Sequence, residues 1–242
     1  MDKKLFPFSK LSTNALKILA AVSMLIDHAG LMFFPQADWM RILGRLAYPI
    51  FAFMIAEGCR HTSHKGRYLL QIGGLGVLCQ VVYYLAERSL YMSILITFSL
   101  SIVVAYALMA FQKAIYREKP DTLERLLTGL IFFVSVVVVW KMNQELEIDY
   151  GFWGSMVPVM ALIAHPEGRD TPVWRLGWFT LGLLCLSWKL GGLQIWSLLA
   201  LVPLALYSGE RGKWKMKYFF YLFYPIHLVA LEGILVLTKL LK

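Results

Sequence analysis

Three observations predict an all-α, polytopic transmembrane helix bundle. Apolar runs close to bilayer length recur along the chain. Of the 242 residues, 59% are hydrophobic and only 16% charged, against about a quarter charged in a soluble domain. Lys and Arg fall mainly in the short connectors between the runs, as they do in membrane proteins. A helix needs about 20 residues to cross the hydrocarbon core. A chain of 242 residues is too short to add a sizeable soluble domain, so one integral-membrane domain over 1–242 is expected.

The first helix is expected over Asn14–Phe34, where Asp27 and His28 sit side by side deep inside a mainly apolar run. The second covers Ile42–Cys59, entered through Arg41 and Arg45. The next three, Tyr68–Ala86, Leu90–Phe111 and Leu126–Met142, are long apolar segments. Phe152–Ala164, Leu176–Trp188, Leu193–Tyr207 and Tyr218–Leu240 complete the series. The count is about nine, within a range of eight to ten, because short apolar runs can be re-entrant. Pro49, Pro158, Pro203 and Pro225 fall inside these runs, where a bilayer tolerates them and the freed carbonyls can line a cavity.

With nine spans, the N-terminal side and its connectors hold seventeen Lys and Arg, and the other side seven. The basic side marks the cytoplasm, which places the N-terminus inside and the C-terminus outside. The net charge of +9 is explained by this rule. It forms no continuous basic face, so nucleic acid is excluded as a partner. Cys59, Cys79 and Cys185 are odd in number and match no metal or disulfide spacing. No small-residue cleavage site follows the first run, so it reads as a retained helix.

Ionisable residues at membrane depth are costly and point to function. His28 lies about 20 Å along the first helix at 1.5 Å per residue. Arg41 and Arg45, spaced i, i+4, share one face at the start of the second helix. Asp27, His28, Arg41 and Arg45 can therefore form one cluster towards the outer side. A neutral His28 can act as a base, and an Arg in a dry site can hold an anionic group. The plainer reading makes Asp27 and Arg45 an ion pair joining two helices. At the inner end of the second helix, Glu57 and His61 share a face, followed by His64, Lys65 and Arg67. This stretch reads either as an interfacial helix end with snorkelling side chains or as a docking surface for a phosphate-bearing cofactor. Tyr224 and His227, three apart on the last helix, face the same way.

The strings 24-MLIDH-28, 41-RILGRLAYPIFAF-53, 57-EGCRHT-62, 149-DYG-151 and 223-FYPIHL-228 resemble the signature blocks of the TraX family, in family order. Many members of that family carry an Arg where this chain has Gln71, and a Glu-x-Pro-Phe-Asp-like string where it has 80-QVVYY-84. The resemblance implies a bacterial inner-membrane protein that transfers an acetyl group from cytoplasmic acetyl-CoA to a pilin or fimbrial subunit. His28 would be the base, Asp27 its orienting neighbour, and Arg41 and Arg45 the stabilisers of developing charge. Glu57, His61, Lys65 and Arg67 would face the cofactor, and Tyr224, His227 and Asp149 the acceptor; no metal is implied. The alternatives are a non-enzymatic fimbrial assembly factor and a small-solute or lipid transporter. The absence of an inverted repeat weighs against the transporter.

Overall fold

The structure, a computed structural model, describes residues 9–119, 121–165, 171–214 and 216–240. Lys3, Lys4, Arg169, Lys215 and Lys242, which enter the charge balance, lie outside the described residues. Regular structure among the described residues is helical, joined by two isolated bridges, Leu11 to Tyr207 and Met92 to Ile148. The helices are α1 (Thr13–Phe33), α2 (Asp38–Gly44), α3 (Ala47–His61), α4 (Lys65–Glu87), α5 (Ile94–Ile115), α6 (Thr122–Glu145), α7 (Gly151–Met160) and α8 (Pro172–Leu190). A 3₁₀ segment (Gly192–Ala200), α9 (Leu201–Ala205) and α10 (Lys217–Leu240) follow.

All nine apolar runs contain helix, but the expected count of about nine membrane spans is not reached by length and composition. Among the described residues, six segments are long and apolar enough to cross: Thr13–Phe33, Asp38–His61, Lys65–Leu85, Ile94–Ile115, Thr122–Glu145 and Phe219–Leu240. At 10 residues, α7 reaches only about 15 Å. Helix α8 is long enough but less apolar. The run expected as a helix over Leu193–Tyr207 is mostly 3₁₀, entered through Gly191 and Gly192 at φ +67° and +54°. The expected second helix is divided at Arg45 and Leu46 into α2 and α3. Pro49 accounts for the break. It has no N–H for the Arg45 carbonyl, and its ring would clash with that oxygen in a continuous helix. In the first turn of α3 the missing donor costs little.

The chain forms two compact units. The first comprises residues 1–54 and 190–242, the second residues 55–189, so the division falls inside α3. In the first unit, α1 packs on α2 and α10, and the 3₁₀ segment packs on α2. Ser12 caps α1, its side chain accepting from the Ala15 N–H (3.3 Å). The Lys10 and Leu11 N–H groups donate to the Leu206 carbonyl, and Thr13 N–H to that of Glu210 (2.7 Å). These bonds put the start of α1 beside the segment leading into α10. Lys17 meets Phe220 near that end, and His28 meets His227 further along. Helices α1 and α10 therefore begin at the same end and run the same way.

In the second unit, α5 is the central element, with α4, α6 and α7 packed against it. Its small residues Ser101, Ala105, Ala107 and Ala114 are buried and let neighbouring helices approach. Ser99 and Ser101 satisfy their hydroxyls on the Leu95 and Thr97 carbonyls one turn back (2.7 and 2.9 Å). The fully buried Thr97 donates to the backbone oxygen of Asp149 (2.6 Å). Thr97→Val keeps the shape and removes this donor. It is expected to lower stability by about 1–3 kcal/mol, read as thermal unfolding of the purified protein in detergent.

Leu70 on α4, Leu126 on α6 and Val229 on α10 are 74%, 67% and 64% exposed. Apolar surface on this scale is untenable in water and is what contact with lipid requires. The protein is a membrane protein with an apolar outside and polar groups within.

Candidate functional site

The polar cluster expected from the first two helices forms in the first unit. One carboxylate receives two guanidinium groups. Arg45 Nη2 lies 3.0 Å from both Asp27 oxygens, and Arg41 Nη1 lies 3.0 Å from Asp27 Oδ1. Arg41 Nη1 also donates to the Asp27 carbonyl (3.3 Å). Arg45 Nε donates to the Arg41 carbonyl (3.4 Å) and Nη1 to Gln194 Oε1 (3.3 Å). The three charged side chains keep only 15–25% of their exposure. The break before Pro49 serves this geometry, because α2 is short and lies directly against α1.

Gly44 makes the close approach possible. A Cβ there would overlap the Asp27 carboxylate, a rigidly paired group that cannot simply swing away. Gly44→Ala is expected to cost about 1–3 kcal/mol by overpacking. The measurement is the unfolding midpoint in detergent. A midpoint equal to wild type would mean that α1 and α2 can separate freely.

His28 is adjacent to Asp27 but points to a different neighbour. Its Nδ1 lies 2.8 Å from the Met24 carbonyl. A carbonyl only accepts, so Nδ1 carries the hydrogen, and in neutral His28 the Nε2 lone pair remains. No described residue hydrogen-bonds Nε2. His227, buried on α10, is fixed in the same way by the Phe223 carbonyl (2.8 Å). Its Nε2 faces His28 Nδ1 at 3.4 Å, with the rings edge-on at 5.0 Å. Phe223 stacks on the His227 ring at 4.9 Å and 8°, and Tyr224 meets its edge at 5.8 Å. Thus His28 presents a free nitrogen while a second imidazole supports its other side. Arg41 binds Asp27 through Nη1 alone, which leaves Nη2 and Nε to meet an anionic group.

Glu57, His61, Lys65 and Arg67 belong to the second unit. Glu57 is buried and paired: Arg175 Nη1 lies 2.5 Å from Oε1, Arg60 Nη1 3.7 Å away, and His61 Nδ1 3.9 Å from Oε2. His61 Nδ1 also donates to the Glu57 carbonyl (2.9 Å). Glu57 therefore orders the α3 end, while His61, Lys65 and Arg67 are exposed. Lys65 lies over the Tyr106 ring at 5.2 Å. Asp149, also in the second unit, belongs to a different network. Tyr91 Oη donates to its Oδ1 (2.7 Å), and the turn it enters holds Tyr150 and Gly151 at φ +60° and +61°. Tyr224 and His227, expected with Asp149 at the acceptor, sit on α10, where His227 meets His28 of α1.

Gln194 and Arg175 escaped the sequence reading. Gln194 is a polar residue inside the apolar run Leu193–Tyr207, and the argument that singled out Asp27 applies to it equally. Arg175 lies at the start of an apolar run, and nothing local pairs it with Glu57, 118 positions away. No group of three His, Cys, Asp or Glu side chains among the described residues is arranged to hold a metal ion.

The sequence pattern of the TraX protein family matches residues 12–235. The chain is 25% identical to the "probable fimbrial assembly protein FimC, serogroup H1" of Dichelobacter nodosus, over 91% of this chain and 94% of that one. It is 28% identical to an uncharacterized protein of Rickettsia prowazekii, over 64% of this chain and 56% of that one. It is 34% identical to protein TraX of Escherichia coli, over 30% of each chain. No solved structure matches.

Proposed function

The chain belongs to the TraX family, and on that premise we propose that it acts in pilus or fimbrial biogenesis as an acetyl-CoA-dependent acetyltransferase of the bacterial inner membrane. The FimC-like relative, matched over nearly its whole length, supports the fimbrial context. The observation that carries the chemistry is His28, whose hydrogen is committed to Met24 and whose Nε2 is left as a base beside a guanidinium with N–H groups to spare.

The acetyl thioester supplies an activated carbonyl. His28 Nε2 takes the proton from the acceptor's amine or hydroxyl as that atom bonds to the carbonyl carbon. Arg41 steadies the negative charge that develops on the carbonyl oxygen, helped by Arg45. When the carbon–sulfur bond breaks, the proton passes from His28 to the leaving thiolate. Asp27 is a positioning residue that fixes both arginines, and His227 and Tyr224 support the imidazole. The exposed His61, Lys65 and Arg67 suit the donor's phosphates by charge, whereas Glu57 is occupied by Arg175.

Parallel α1 and α10 support an odd number of passages, and the excess of Lys and Arg on the N-terminal side supports a cytoplasmic N-terminus. An odd count requires the segment between α6 and α10 to return the chain across the bilayer, beyond the six passages that length and composition alone assign.

The experiment is the intact mass of the surface pilus or fimbrial subunit from deletion cells and from cells complemented with the wild-type protein. A gain of one acetyl group on complementation is expected. Identical masses would favour the non-enzymatic assembly factor, for which the saturated Asp27 ion pair would be a helix clamp and nothing more.

A further inference from the structure

We propose that the exposed face of α10 around Glu232 docks a membrane-spanning helix of another protein, one that carries a cationic group at bilayer depth. Lys217 and Lys239 stand at the two ends of α10, and Glu232 is the charged residue between them. It lies eight residues before Leu240, about 12 Å along the helix axis. No other Asp, Glu, Lys or Arg in the described helices is as far from both ends of its helix. Glu232 is exposed, and it makes no hydrogen bond or ion pair with any described residue. A carboxylate at this depth is costly unless it meets an opposite charge. Asp27 meets two guanidinium groups; Glu232 meets none.

The surface around the carboxylate has the pattern of a helix seam. Leu222, Val229 and Val236 follow one another at intervals of seven, and Glu232 falls between the last two, three residues from one and four from the other. This is the repeat with which one helix packs along another. The three apolar side chains are 55%, 64% and 52% exposed, whereas His227 and Leu231 mark the buried face of α10. Gly233 adjoins Glu232, and a Cβ there would meet nothing within 4 Å. A glycine at that position lets a neighbouring backbone come close to the carboxylate.

Charge selects the occupant. Lipid tails offer no counter-charge to a carboxylate. A second copy of this chain offers none either. Its described Lys and Arg lie in loops, within two turns of a helix end or, like Arg41 and Arg45, against Asp27. Packing α10 on its own copy would also set two carboxylates against each other. A partner helix with a Lys, an Arg or a free amine at the depth of Glu232 supplies the missing charge, and ionisable residues within membranes do pair in this way. The inference stands whether or not the protein transfers acetyl groups.

The test places the full-length protein in phosphatidylcholine vesicles with a labelled Leu-rich helix of about 20 residues. The peptide carries one Lys about eight residues from its end, and energy transfer from the protein's tryptophans reports association. The Lys peptide is expected to bind wild type about tenfold more tightly than Glu232→Gln, the scale of one polar contact between membrane helices. A peptide with Met in place of Lys should bind both equally. Reversing the charges should restore binding, so that Glu232→Lys takes up a peptide with Glu at the same position. Equal binding of the Lys peptide to wild type and Glu232→Gln would overturn the proposal. So would a wild-type dimer, formed without peptide, that Glu232→Gln dissolves, because the occupant would then be a second copy. Glu232→Gln is expected to unfold at the wild-type midpoint, since the side chain has no partner among the described residues. A lower midpoint would place Glu232 in a contact within the chain and overturn the proposal as well.

Discussion

His28→Ala is expected to lower acetyl transfer by about 10²–10⁴-fold, the range that a positioned general base contributes, with protein level and unfolding midpoint close to wild type. The small stability effect follows from the structure. His28 makes one hydrogen bond within its own helix and one long contact to His227, and its Nε2 bonds no described residue. The readout is the acetylated fraction of the subunit by intact mass, in deletion cells carrying each variant at equal levels. His227→Phe keeps a ring against Phe223 but removes the nitrogen behind His28, and it should give a smaller loss. Wild-type acetylation in His28→Ala would sink the catalytic assignment. A matching fall in stability would instead turn His28 into a packing residue.

Asp27→Asn is expected to destabilise the protein by about 3–5 kcal/mol, because removing one partner of a buried ion pair leaves the other charges uncompensated. Two guanidinium groups would then face each other at 15% and 25% exposure with no anion between them. For a chain of this size the expected fall in unfolding midpoint is on the order of 10 °C. Arg45→Gln alone should cost less, since Arg41 still reaches Asp27. Combining Asp27→Asn with Arg45→Gln should cost less than the sum of the singles, as coupled charges do. An additive double variant would mean that the pair is not an energetic unit. Function separates the readings further. A pure clamp would let Asp27→Glu and Arg45→Lys work normally, whereas an oxyanion role for the arginines would not tolerate a lysine that lacks the planar fork.

The membrane class was legible because it rests on composition and run length, which the chain carries whatever its fold. The same is true of the Asp27, Arg41 and Arg45 cluster. An acid and two bases at the adjoining ends of consecutive apolar helices have few other ways to avoid hydrocarbon. Glu57 was legible as polar but not as spent, because its partner Arg175 is remote in sequence and only packing selects it. The count of crossings suffered for a related reason. Hydropathy scores α7 and the 3₁₀ segment as apolar without saying whether they extend far enough, and the glycines at 191 and 192 alter the helix type where the composition does not change.

The sequence by itself determined that this is an all-helical membrane protein of the TraX family, with charge buried beside the α1–α2 junction. Apolarity and order along the chain are one-dimensional properties. The tertiary structure alone decided which nitrogen of His28 is free, because that depends on the Met24 carbonyl lying 2.8 Å from the other one. It alone brought His227 from the far end of the chain to the same imidazole and tied up Glu57. Each of these is a matter of distance and direction between residues far apart in sequence, and only packing fixes those.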